Sequence, residues 1–355
     1  MTVFSRVALF ACVAFLVVTA LTAPNVAYEY DAAGWWIPRA ELERAHTGAT
    51  VNLLRTRETL PLLLPWLGVH RHPVAGPMVV GWLARLAPLT VTAARIAALR
   101  DAALLVLLLA LIRRRVDRDV NRATLLSAVV LACPFLFVHL RTGYIDLTVG
   151  AAAALLVIAM MDVLRRPRRI AWLAVGLAGT FLVQLKLEGT VHAVVGVVAV
   201  ACCATDVALG RRVRVAGVTF AIIGINLAAW QLTLRLVPDS PLPPGIFYWD
   251  QFRPAALPQY VFHVVRHAID YATWGFVWPL VFAVAITTRR WAALVSFGGA
   301  LTAFAFCYAV GPPVMIVWAA SGIQLNRLLL EILIAGLPLI AGVGASSRPG
   351  ASSVA

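Results

Sequence analysis

Residues 141–169 read Arg141-Thr142-Gly143-Tyr144-Ile145-Asp146, then LTVGAAAALLVIAMMDVL (147–164), then Arg165-Arg166-Pro167-Arg168-Arg169. The central run is long enough to cross the ~30 Å hydrocarbon core of a bilayer as one helix. The arginine cluster after it marks a cytoplasmic loop, because short loops rich in Lys and Arg stay inside. The six-residue turn before it then lies outside, with Asp146 heading the helix.

The same alternation fills the chain. Of 355 residues, 61% are hydrophobic and 13% charged, whereas a soluble domain is about half apolar and about a quarter charged. A net charge of +14 raises the question of a nucleic-acid partner, but much of the basic charge sits in small clusters between apolar runs. That layout is topological punctuation and excludes a nucleic-acid binder. Apolar runs are expected at 1–24, 92–112, 123–140, 147–164, 170–185, 189–208, 215–236, 271–288, 292–310 and 326–344. The fold expected is all-α: a polytopic membrane protein of about ten transmembrane helices, with interfacial helices in the first outside loop.

Inside loops fall at 113–122, 165–169, 210–214 and 289–290, and outside loops at 25–91, 141–146, 186–188, 237–270 and 311–325. Arg6 places the N-terminus in the cytoplasm, and the first apolar run is read as an uncleaved helix. Val74–Leu89, interrupted by Pro77, Arg85 and Pro88, is expected to be re-entrant or interfacial. A crossing there would put Arg113-Arg114-Arg115 outside. Residues 1–345 form a single domain, and 346–355 are a disordered cytoplasmic tail. The five cysteines, Cys12, Cys133, Cys202, Cys203 and Cys307, lie in apolar runs without metal or redox spacing and read as small core residues.

The charged residues on the outer face carry the functional candidates. Tyr28-Glu29-Tyr30-Asp31 puts two carboxylates at the mouth of the first helix. Carboxylates near a membrane are costly and are usually paired or functional, though Asp31 is also a good cap for a following helix. Asp146 equally suits a helix N-terminus. Lys186-Leu187-Glu188-Gly189 forms another outer turn, and Lys186 is the only lysine among 30 basic residues. Arg327 stands near the outer start of the last run. Its planar fork suits phosphate oxygens, and snorkelling to the interface is the alternative. His70-Arg71-His72 reads as a solvated basic turn. His263 and His267 are spaced to share a helical face but lack a metalloprotease pattern. Tyr248, Trp249 and Asp250 suit either substrate contact or interfacial anchoring.

Four stretches in order resemble the multi-span, C-type glycosyltransferases related to protein O-mannosyltransferases and lipid A aminoarabinose transferases. Tyr30-Asp31-Ala32-Ala33-Gly34-Trp35-Trp36 with Pro38-Arg39-Ala40 resembles the acidic first-loop motif. Gly143-Tyr144-Ile145-Asp146-Leu147 resembles a turn ahead of a small-residue helix. Leu185-Lys186-Leu187-Glu188-Gly189 and Asn326-Arg327-Leu328-Leu329-Leu330 resemble the later motifs. The resemblance implies transfer of a sugar from a lipid-linked donor, a polyprenyl phosphate or diphosphate, to an acceptor (glycan, lipid or protein) among membrane lipids. It implies catalytic roles for Asp31, Asp146 and Glu29. It implies substrate contacts by Lys186, Glu188, Arg327, Tyr144 and Arg141, with Lys186 and Arg327 on the carrier phosphate. The first loop departs from the family in lacking an adjacent acidic pair, which leaves a divalent metal cofactor open. A transporter or flippase is the rival reading and predicts charges deep within spans. A non-catalytic membrane subunit is the third.

Overall fold

The computed structural model describes residues 3–24, 37–46, 75–115, 120–235, 252–310 and 314–343. Among these the chain is helical, with no strand. The helices are α1 (Val3–Leu21), α2 (Ile37–Ala45), α3 (Ala75–Arg85), α4 (Ala93–Arg115), α5 (Val120–Leu131), α6 (Pro134–Leu140), α7 (Asp146–Arg165) and α8 (Arg169–Leu185). They continue as α9 (Leu187–Cys203), α10 (Leu209–Arg235), α11 (Ala256–Ala268), α12 (Tyr271–Trp274), α13 (Val277–Thr287), α14 (Trp291–Val310), α15 (Val314–Ser321) and α16 (Ile323–Ile340).

Among the described residues three stretches are long and apolar enough to cross a membrane: Asp146–Arg165, Leu209–Leu232 and Trp291–Val310. Val7–Leu21, Arg169–Leu185, Glu188–Cys203 and Val277–Thr287 are shorter apolar helices. The expected run 123–140 is two helices, because Pro134 cannot continue α5 and instead opens α6. The expected run 271–288 is likewise broken, at Gly275, which has a positive φ of 58°. The expected run 92–112 is one long helix, but it carries Arg95, Arg100 and Asp101 in its first half. Ala75–Arg85, inside the stretch expected to be re-entrant or interfacial, is a helix of 11 residues packed on α2.

The architecture centres on α7. Its run of Gly150 and four alanines lets neighbours approach closely, as small residues do between membrane helices. A Cβ on Gly150 would stand 2.9 Å from Ile334 Cβ and 3.1 Å from the Glu331 carbonyl oxygen. Thus α16 lies directly against α7, and α4, α8 and α9 pack around it as well. By contrast, α10 exposes Val213, Val218, Phe220, Ile225 and Leu232, and α8 exposes Ile170, Leu173 and Leu177. Apolar side chains facing outward are expected where lipid rather than water surrounds a helix.

The two ends of α7 differ. At its C-terminal end Arg115 pairs with Asp162, its Nε donating to Oδ1 at 2.8 Å. There too Arg211 donates to the Leu164 carbonyl at 3.1 Å. The C-terminus of α4, the C-terminus of α7 and the N-terminus of α10 therefore share one end of the bundle. Asp146, at the other end, anchors the polar cluster.

Candidate functional site

The turn before α7 is built to present Asp146. Thr142 Oγ1 donates to the His139 carbonyl at 2.8 Å and accepts from the Tyr144 amide at 3.4 Å. Gly143 takes φ 76°, a conformation open to glycine at little cost. Ile37 at the start of α2 rests on it. Asp146 then occupies the first turn of α7, where the helix dipole favours a negative charge.

Asp146 is fully buried and meets three partners. Lys186 Nζ donates to Oδ1 at 2.8 Å, and Arg327 donates through Nε to Oδ2 at 2.7 Å and through Nη2 to Oδ1 at 3.3 Å. His139 Nε2 lies 3.1 Å from Oδ2. The Arg327 guanidinium also stands 4.1 Å from the Tyr144 ring centroid, and Tyr144 stacks on His139 at 5.0 Å.

Lys186 sits at the break between α8 and α9 in an extended conformation. Gly189 makes this tight junction feasible, since a Cβ there would overlap the Leu182 carbonyl. The ammonium meets three carboxylates: Asp146 at 2.8 Å, Glu331 at 3.2 Å and Glu188 at 3.3 Å. An ammonium has three rotatable N–H donors, one for each carboxylate, and a planar guanidinium does not match that arrangement. Burial alone would lower the Lys186 pKa. Asp146, Glu188 and Glu331 outweigh both burial and the nearby Arg327, and hold the ammonium well above the ordinary lysine value.

Glu331 carries the network further. It is fully buried on α16, and its Oε2 lies 2.8 Å from His192 Nε2 on α9. A second buried pair adjoins α7. Arg100 Nε donates to Asp101 Oδ1 at 3.0 Å, and Thr148 donates to the same carboxylate. Arg100 also lines a small cleft with Ile37, Gly76, Val80 and Gly143.

The structure thus brings together Asp146, Lys186, Glu188, Arg327 and Tyr144. Arg141 contacts other groups: it donates to the Thr22 carbonyl at 3.4 Å and lies over the Phe137 ring. Asp31 and Glu29 lie outside the described residues, as do His70, Arg71, His72, Tyr248, Trp249 and Asp250. His263 and His267 do share a face of α11, with ring centroids 6.5 Å apart. Among the described residues no group of three or more His, Cys, Asp or Glu is arranged to hold a metal ion. His139, His192, Glu331 and the Arg100–Asp101 pair were not among the sequence candidates. A lone acid or an Arg-Asp step inside an apolar run was the available signal.

Comparison of the chain with protein-family models, curated proteins and solved structures finds no match.

Proposed function

We propose that the chain is a membrane glycosyltransferase. It moves a sugar from a polyprenyl-phosphate-linked donor to an acceptor at the extracytoplasmic face. The supporting observation is that Lys186 and Arg327, far from Asp146 in sequence and expected on the same face, both donate hydrogen bonds to its carboxylate in a buried cluster. In this reading about ten segments cross or enter the bilayer. The Arg115–Asp162 end faces the cytoplasm, as a basic end should, and the Asp146 end faces out.

The chemistry suits the residues. The acceptor oxygen forms a bond to the anomeric carbon as the carbon–phosphate oxygen bond breaks, and that electron pair leaves with the phosphate. Lys186 and Arg327 supply positive charge against the departing anion, and Asp146 holds the two cations in register. Asp31 takes the acceptor's proton or steadies the sugar cation.

The test is a panel of labelled polyprenyl-phosphate sugars offered to purified protein. Transfer is expected with the unaltered chain, and Asp31→Asn should cut it by roughly 10²–10⁴-fold, the usual worth of general acid–base catalysis. Full activity in Asp31→Asn, or no transfer from any donor, overturns the reading.

A second reading is favoured by one observation: Glu331 and His192 lie within helices rather than at their mouths. Ionisable pairs inside a bundle suit a proton-coupled transporter or flippase. Uptake of a lipid-linked or small solute into proteoliposomes, without sugar transfer, would select it.

A further inference from the structure

Two pairs of residues four apart face each other across the cluster. Glu188 and His192 stand on α9, and Arg327 and Glu331 on α16. Residues so spaced lie on one helical face. Three of the four reach the Lys186–Asp146 group directly, and His192 reaches it through Glu331.

Glu331 stands out because its neighbours along α16 are apolar. Leu328, Leu329, Leu330, Ile332, Leu333 and Ile334 flank it, all buried. Leucine would pack at this position without the cost of desolvating a carboxylate. Both Glu331 oxygens are committed, Oε1 to Lys186 and Oε2 to His192. The partner it holds is the chain's one lysine.

We propose that Glu331, itself aimed by His192, is a positioning residue that fixes the Lys186 ammonium in the site. The effect on turnover rests on the transferase reading, whereas the effect on the ammonium does not. His192 keeps Glu331 from swinging away, and Glu331 keeps the ammonium pointed between α7 and α16. Arginine at position 186 would not substitute, because its planar fork cannot serve three carboxylates disposed around one nitrogen.

The lone lysine makes this measurable in the full-length protein. Lysine labelled at Cε and Nζ gives a single side-chain signal, whose shift reports the charge on Nζ. Among the described residues the charged and titratable groups around Nζ are Asp146 on α7, His139 at the end of α6, Glu188 and His192 on α9, Tyr308 on α14, and Arg327 and Glu331 on α16. In Glu331→Gln the signal should move at neutral pH, because Nζ loses one of its three carboxylates. His192→Phe should shift the signal in the same direction with Glu331 intact. Superimposable spectra in both variants overturn the proposal. Loss of folded protein in both makes Glu331 a packing residue and also overturns it. If the unaltered chain transfers no sugar, the transferase reading fails, while the lysine signal still decides the role of Glu331.

Discussion

Asp146 Oδ1 and Lys186 Nζ are 2.8 Å apart across a sequence separation of 40 residues, both side chains nearly or fully buried. Removing Asp146 takes the shared acceptor from Lys186 and Arg327, and removing Lys186 takes the shared cation from Asp146, Glu188 and Glu331, all away from bulk water. Asp146→Asn and Lys186→Met are each expected to destabilise by ~3–5 kcal/mol. The double variant should cost less than the two singles combined, because the Asp146–Lys186 interaction is lost in each single but only once in the double. Thermal unfolding in detergent of the four proteins checks this.

Alkaline pH gives an independent reading of the same ammonium. Its folded pKa is raised by the three carboxylates. The stabilisation is therefore fully present below the unfolded lysine value of ~10.4 and is lost as pH rises through the folded value. Melting temperatures between about pH 9 and 12 should fall for the unaltered protein, with a component missing from Lys186→Met.

Gly189 sets where Lys186 can stand. In Gly189→Ala the new methyl group meets the Leu182 carbonyl, which is backbone and cannot swing aside. A cost of ~1–3 kcal/mol is expected, in line with overpacking elsewhere. Gly150→Ala, whose nearest neighbour is a side-chain carbon at 2.9 Å, should cost less. Comparing the two melting curves tests whether the α8–α9 junction or the α7–α16 contact is the tighter constraint.

Arg39 on α2 is a buried guanidinium whose Nε and Nη2 have no hydrogen-bond partner among the described residues, and burial pushes its pKa down to about 10. Arg39→Met keeps the bulk and removes the charge. It is expected to raise stability by ~1–3 kcal/mol, the usual cost of an unsatisfied buried polar group. A fall in melting temperature would contradict that expectation.

The helical class was plain from apolar run length, but run length makes 123–140 one stretch and does not show the break at Pro134 ahead of α6. The turns at Asp146 and Lys186 and the helix start at Arg327 were singled out because charges at the ends of apolar runs stand out. Glu331 and His192 were not, because a single polar residue within a run barely changes its mean hydropathy, and its partners come from other helices. Arg141 shows the converse: adjacency to Gly143 and Asp146 in sequence does not fix which way a long side chain turns, and it donates to the Thr22 carbonyl and lies over the Phe137 ring.

The enclosure of α7 sets where movement can occur. Hemmed in by α4, α8, α9 and α16, it acts as a keel, and a shift of its head would disturb every ion pair made by Asp146. The perimeter is the more open part, where α10 leaves most of its residues uncovered, so a change there leaves the carboxylate at the head of α7 undisturbed.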